Sequence, residues 1–458
     1  MEVRIELSEA TNGKFSDIIL AFNDLNGKEQ KVSLSLINFV DIYDLTKETK
    51  SVKFDFFLVS ALVYGIDNLL DRDYYSDDGW SREIKVVFPV YNISKWTGQE
   101  IVLQEALKFL TGDYWTIQFE PNSIQNCFLE TKGRWNKNRR NFDTGRIKVT
   151  SLFSGGLDSL IGVIDQLEKL NNGEEILLVS HFDFYSSGPN RDQRVLLGSL
   201  IKEYPDKIKN NWIQTKLALK RININGDKFH TEGNYRSRSL FFIGLGCFLS
   251  PSSNLVVPEN GTISINYPLT PSRVSSLSTR TTHPFVIGKL QKLLSNLEIT
   301  VDLQNPYCFK TKGEMIASCL NPNLLDSIFS KSTSCGKSNH KENWEIRTGT
   351  NHCGVCMPCI YRRAALHSNQ NDTQLYGNYI ENAVIKDRFV DMPALFNYLK
   401  MDISLEKMKR DILVHGSVPM GDLEEYAKMV LRSKDEVIQL FRDKGNEFIK
   451  SELGIYDN

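Results

Sequence analysis

The chain has 458 residues, of which 41% are hydrophobic and 24% charged, and its 55 Lys and Arg against 56 Asp and Glu leave a formal charge of -1. That length exceeds a usual domain of roughly 100–200 residues and predicts two or three packed units. The balanced charge excludes a broad basic surface, so direct nucleic-acid binding is not expected.

The first residues, Met1-Glu2-Val3-Arg4-Ile5-Glu6-Leu7, alternate charged with apolar side chains and read as a strand instead of a signal peptide. The longest apolar run, Phe54 to Leu70, contains Asp55 and Asp67 and falls short of the about 20 apolar residues of a membrane span, so it predicts a buried helix and no membrane partner. With strand-like runs at Val3 to Leu7, Glu83 to Val90 and Trp115 to Phe119 and a second helix at Glu100 to Leu110, residues 1–140 predict an α+β unit of their own. The basic, aperiodic stretch Lys132 to Asn141 reads as a linker. From Ile147, short apolar strands alternate with helical segments, the pattern of a parallel α/β sheet covered by helices. The expected strands are Ile147 to Phe153, Ile176 to His181, Trp212 to Leu219, Leu255 to Val257 and Ile299 to Leu303. Between them fall helices at Asp158 to Leu170, Arg191 to Glu203, Arg236 to Leu249, Pro284 to Leu297 and Thr311 to Leu320. A cysteine-bearing irregular stretch leads into a helix near Ile360, and a helical region occupies 376–458, with Ser433 and Glu436 spaced as a capping box.

Two motifs carry chemistry. Ser154-Gly155-Gly156-Leu157-Asp158-Ser159 stands between a strand and a helix, where glycines and backbone N–H groups can cradle a phosphate at the helix N-terminus. It lacks the Lys of a Walker loop. Of the eight cysteines, three lie in Cys353-Gly354-Val355-Cys356-Met357-Pro358-Cys359, a spacing that suits a metal better than disulfides and points to a reducing, cytoplasmic compartment. A tetrahedral Zn²⁺ site needs a fourth ligand. Cys335 is the first choice, His352 or His340 the substitutes, and an iron–sulfur cluster the alternative metal.

The Ser-Gly-Gly-x-Asp-Ser loop resembles that of the N-type ATP pyrophosphatases. With Cys353 to Arg362 it resembles, over roughly Arg146 to Leu366, the 7-cyano-7-deazaguanine synthase (QueC) family. Lys312-Gly313-Glu314-Met315 and Ser334-Cys335 are similar to further family motifs. The resemblance implies an ATP-pyrophosphatase core over 146–375 in which Ser154, Gly155, Gly156, Leu157, Asp158, Ser159 and Lys312 bind ATP. Asp158 would order the loop or its Mg²⁺. His181 and Phe182 would lie at the adenine, with Gln193 further along. His181 is equally compatible with a core role. On the substrate side, Arg238, Glu259, Asn260, Arg280 and His283 are the candidates, because Arg binds carboxylates through a planar fork and Glu259-Asn260 follows a strand's carboxyl end. His283 precedes Pro284 and suits either proton transfer or helix capping.

The front block, with Asp67 to Arg72, Trp80-Ser81-Arg82 and Leu110 to Trp115, resembles QueC-like proteins of anti-phage defence operons, the QatC group of Qat systems among them. Trp80, Trp96 and Trp115 read as packing residues. The implied reaction is adenylation of a 7-deazaguanine carboxylate by ATP and transfer to an amine, either of a partner protein or ammonia. A scaffold without turnover is the competing reading. Because the loop, Lys312 and the candidate pocket all follow Arg146, a chain beginning near Asn141 is expected to keep the adenylation step if it folds.

Overall fold

A computed structural model describes the chain apart from residues 12, 77, 131–138, 184–186, 229, 234–235, 270–279, 339, 381–390 and 456–458. Most of the expected linker, with Tyr235, Ser278 and Thr279, lies outside the described residues. The fold is mixed α/β around one large sheet. Its strands are β1 (Glu2–Leu7), β2 (Ile18–Asn23), β3 (Glu29–Ile37), β4 (Glu83–Val90), β5 (Tyr114–Pro121), β6 (Ile147–Leu152), β7 (Glu175–Asp183), β8 (Trp212–Leu219), β9 (Asn254–Val256) and β10 (Asp302–Gln304). They lie in the order β10-β9-β6-β7-β8-β3-β2-β1-β4-β5. From β10 to β8 every pairing is parallel, β8 to β1 is antiparallel, and β1, β4 and β5 are parallel again.

The front block is therefore continuous with the rest of the sheet, joined where β3 pairs with β8 from Leu34 opposite Leu219 to Ile37 opposite Lys216. The connection is made in the core as well. Helix Val52–Leu69, buried along nearly its whole length, packs on helix Arg238–Leu249, which is itself apolar all round. Phe57 stacks on Phe248 at 5.3 Å and Tyr64 on Phe241 at 5.7 Å. Trp96 and Trp115 are buried in the same cluster.

A buried ion network fastens this junction. Arg82 binds Asp67 at 2.5 Å and Asp113 at 2.6 Å, Arg72 reaches Asp113 at 2.5 Å and Glu232 at 3.3 Å, and Asp67 accepts from the Ser237 N–H and hydroxyl at 3.0 and 2.6 Å. Burial alone would raise the Asp67 carboxyl, but Arg82 and Arg72 overcome it and hold it below the usual range. Arg236 lies over the half-buried Trp80 ring at 4.3 Å. The front-block motifs thus fix the start of the helix that carries Arg238.

Two expectations are corrected. The last strand is Asp302–Gln304, since pairing with β9 begins only at Asp302 opposite Asn254, although Ile299 and Val301 are buried just before it. Ser433 and Glu436 do not start a helix but sit inside Leu423–Lys444, and the capping box belongs to Thr311 and Glu314. No helix among the described residues is long and apolar enough to cross a membrane.

Candidate functional site

Strand β6 ends at Leu152, and helix Leu157–Lys169 starts after Gly156 as its N-cap, so the Ser-Gly-Gly loop turns at the carboxyl end of a central strand. Gly155 has φ of 86°, a left-handed conformation that disfavours any side chain. The loop is held from three directions. Ser154 donates to Ser159 at 3.1 Å and accepts from the Gly156 N–H at 3.3 Å. Gln193 donates to the carbonyls of Ser154 and His181, each at 3.1 Å, and is itself fixed by Gln214 at 2.6 Å. The Thr333 N–H donates to the Gly155 carbonyl at 3.1 Å.

Beneath the loop, Asp158 is the meeting point of two further segments. Its carboxylate forms an ion pair with the buried Lys312 and accepts from the Asn260 N–H at 3.2 Å and side-chain amide at 2.6 Å. Asn260 also caps helix Gly261–Ile265 by accepting from the Ile263 N–H. Next to it, Glu259 accepts from the hydroxyls of Thr281, at 2.9 Å, and Thr282. Burial raises the Glu259 carboxyl above its ordinary range, and the charge of Asp158 adds to the rise. Asp158, Lys312, Asn260 and Glu259 thus form one cluster, in which Asp158 ties the start of helix Leu157–Lys169 to two distant segments.

The loop opens into a cleft of about 630 Å³. Ser154, Gly155 and Gly156 line it together with Thr333 to Gly336 and Pro358, and its charged side chains are Arg191, Arg238 and Lys341 with Asp192, which pairs with Arg191 at 3.6 Å. Arg238 therefore shares the cleft with the loop. Glu259, Asn260, Arg280 and His283 do not line it. Arg280 lies over Phe109 at 4.3 Å and borders a separate hollow with Trp80, Tyr114 and His415. His283 accepts from the Phe285 N–H at 3.2 Å as the N-cap of helix Pro284–Asn296, and burial with the nearby Arg280 lowers its pKa to about 3. It is neutral at physiological pH, so a cap explains it and proton exchange near pH 7 does not. The His181 ring is buried against Phe241 at 4.7 Å, while its carbonyl and Phe182 end β7 beside the loop.

Cys335 connects the cleft to a thiol cluster. The sulfurs of Cys335, Cys353, Cys356 and Cys359 all lie within 4.8 Å of one another, with Cys335 to Cys356 at 4.0 Å and Cys353 to Cys359 at 3.8 Å. A tetrahedral site with Zn–S bonds of about 2.3 Å has edges of about 3.8 Å, so the four could hold a metal ion such as zinc. Backbone N–H groups of Lys337, Cys353 and Cys356 point at the sulfurs from 3.3–3.4 Å, as they would toward thiolates. His352 accepts from the Ser334 N–H and His340 is exposed beside Glu342, so neither replaces Cys335.

Arg362, the last residue of the cysteine motif, is fully buried and ties the metal helix Met357–Ser368 to the loop before Cys335. It donates to the Ser332 hydroxyl at 2.9 Å and the Phe329 carbonyl at 2.8 Å. Through Thr333 that connection continues to Gly155. Sequence spacing alone does not disclose Gln214, Thr333 or the two threonine donors to Glu259. They come from three separate segments and are recognisable only by proximity. Comparison with family models, curated proteins and solved structures returns no match to this chain.

Proposed function

We propose that the protein is an ATP-dependent ligase of the ATP-pyrophosphatase type that activates a 7-deazaguanine carboxylate and transfers it to an amine, in the manner of the QueC-like proteins of anti-phage defence. The observation that carries this reading is the shared cleft, which a glycine loop at a helix N-terminus lines together with Arg238 and Cys335, one member of the four-thiol cluster. Such a loop, with the buried Lys312 beneath it, suits a leaving pyrophosphate. In the first step a substrate carboxylate oxygen bonds to the α-phosphorus of ATP and the bond to the β-phosphate oxygen breaks, giving an acyl-adenylate and pyrophosphate. In the second an amine nitrogen bonds to the acyl carbon, loses a proton and displaces AMP.

Arg238, which lines the cleft, is suited to orient the carboxylate, whereas Glu259 and Asn260 stand outside it in the cluster around Asp158. Bound Mg²⁺ would neutralise phosphate charge, but Asp158 is already engaged by Lys312 and Asn260 and is not an open ligand for it. Four thiolates would close the coordination sphere of zinc and make that site structural. The proposed acceptor is an amine of a partner protein.

Pyrophosphate release from ATP and 7-carboxy-7-deazaguanine is the direct test. Asp158→Ala and Ser159→Ala are expected to lower it by about 10²-fold or more, with circular dichroism checking that the fold survives loss of the buried Lys312 partner, and unchanged turnover in both would refute the assignment. Intact-mass measurement of co-expressed neighbouring proteins distinguishes a protein acceptor, which gains the deazaguanine acyl mass, from ammonia, which leaves them unmodified.

A further inference from the structure

Helix Leu423–Lys444 touches neither the phosphate loop nor the cleft, yet one of its faces grips both segments that hold Asp158. Met429, Arg432 and Glu436 fall at i, i+3 and i+7 and therefore point the same way. Arg432 forms a two-pronged pair with Glu314, Nε to Oε1 at 2.6 Å and Nη2 to Oε2 at 3.2 Å, and donates to the Phe309 carbonyl at 3.0 Å. Glu436 accepts from the Thr311 hydroxyl. Thr311 and Glu314 are the capping box of helix Lys312–Ala317, so these contacts fix the turn that presents Lys312 to Asp158.

The fit at this turn is close. A Cβ on Gly313 would overlap the Glu436 carboxylate, and Asn369 at the end of the metal helix holds the Gly313 carbonyl at 3.0 Å from the other side. Met429 supports the second segment. Its sulfur accepts from the Thr262 hydroxyl at 3.6 Å, and its methyl lies 2.8 Å from where a Cβ on Gly261 would stand, directly after Asn260.

We propose that Met429, Arg432 and Glu436 are positioning residues, by which the carboxyl-terminal helical block sets the Lys312–Asp158–Asn260 arrangement under the loop and so tunes the reaction without touching substrate. The consequence for turnover rests on the function proposed above, whereas the consequence for Lys312 does not.

The test uses the full chain with two readouts, the rate at which acetic anhydride acetylates Lys312, followed by peptide mass spectrometry, and pyrophosphate release. In Arg432→Leu the Lys312 amine is expected to react about tenfold faster. Pyrophosphate release is expected to fall by about 10- to 100-fold, mostly in kcat and little in KM for ATP, as for a displaced reacting group. Arg432→Lys keeps the charge but loses the planar fork, and should lie between wild type and Arg432→Leu in both readouts. It also serves as the test if the Leu variant does not fold. Lys428→Ala, at an exposed pair on the same helix, should change neither. The inference is overturned if Lys312 acetylation in the Arg432 variants equals that of wild type, or if Lys428→Ala raises it equally. Wild-type protein that releases no pyrophosphate would refute the proposed function, and Lys312 acetylation would then decide this inference alone.

Discussion

Glu436 is a carboxyl group with too few partners for its burial. It faces Thr311, the Gly313 N–H and Arg432, but also the negative Glu314, and burial followed by that repulsion raises its pKa from 4.5 to about 7. The folded protein therefore keeps a proton that the unfolded chain has released. The stability this supplies is complete below about pH 4.5 and is lost as pH rises toward 7. Glu436→Gln cannot titrate, so its stability relative to wild type should increase across that window by up to about 3 kcal/mol and be constant above it. Urea unfolding of both proteins at pH 5 and pH 8 checks this, and parallel pH dependence would contradict it. His283 shows the opposite case: it stays neutral in the fold down to about pH 3, whereas the unfolded histidine gains its proton near 6.5, so the stability it supplies is present above about pH 6.5 and is lost as pH falls.

At the scale of elements, the cysteine cluster and the Ser154-Gly155-Gly156 loop are mechanically one unit, because Arg362 fixes Ser332 and Phe329 while Thr333 hydrogen-bonds Gly155. We expect about one zinc per chain. Cys356→Ser or metal removal by a chelator should lower stability, and should increase hydrogen exchange at Thr333 and Gly156, whose N–H groups donate to the Gly155 carbonyl and the Ser154 hydroxyl, before it affects strands β6 and β7. Iron in elemental analysis, or metal-free protein of unchanged stability, would contradict the zinc assignment. The strands and helices around this unit were readable because their apolar residues are periodic, as in Leu160, Ile161, Ile164 and Leu167. The hairpin of β2 and β3 was not read. Ile18–Asn23 is a nearly continuous buried run without alternation, and its signal was the Asn26-Gly27 turn that follows. Ser433-x-x-Glu436 matched the capping pattern by composition, yet a Ser-x-x-Glu spacing inside a long helix fits a packed face equally well. Asp67, Arg82 and Asp113 lie in the front-block motifs singled out in the sequence, but their pairing was beyond reach, because sequence spacing does not show which distant polar residues the fold brings together.

For the whole molecule, the decisive feature is that the first 140 residues share a sheet and a core with the loop-bearing part. A chain beginning near Asn141 would leave β8 without β3 along one edge and would expose Phe241 and Phe248, which now pack on Tyr64, Phe57 and Phe54. It would also strip Ser237 of its Asp67 partner at the start of helix Arg238–Leu249. Uncovering a buried aromatic costs about 1.5–3 kcal/mol each, so two of them with an open strand edge consume much of a typical stability of about 5–15 kcal/mol. The truncated chain is therefore expected to aggregate or to unfold without cooperativity, and the adenylation step should be lost with it. Whether the front block also receives an acceptor is then a question for surface substitutions that leave the core alone. Thr116 and Gln118 on β5 face a hollow of about 520 Å³ formed with β1 and β4, and changing them should affect transfer but not pyrophosphate release if an acceptor docks there. A soluble truncated protein with a sharp unfolding transition would show that the shared core is dispensable and that the front block is an independent unit after all.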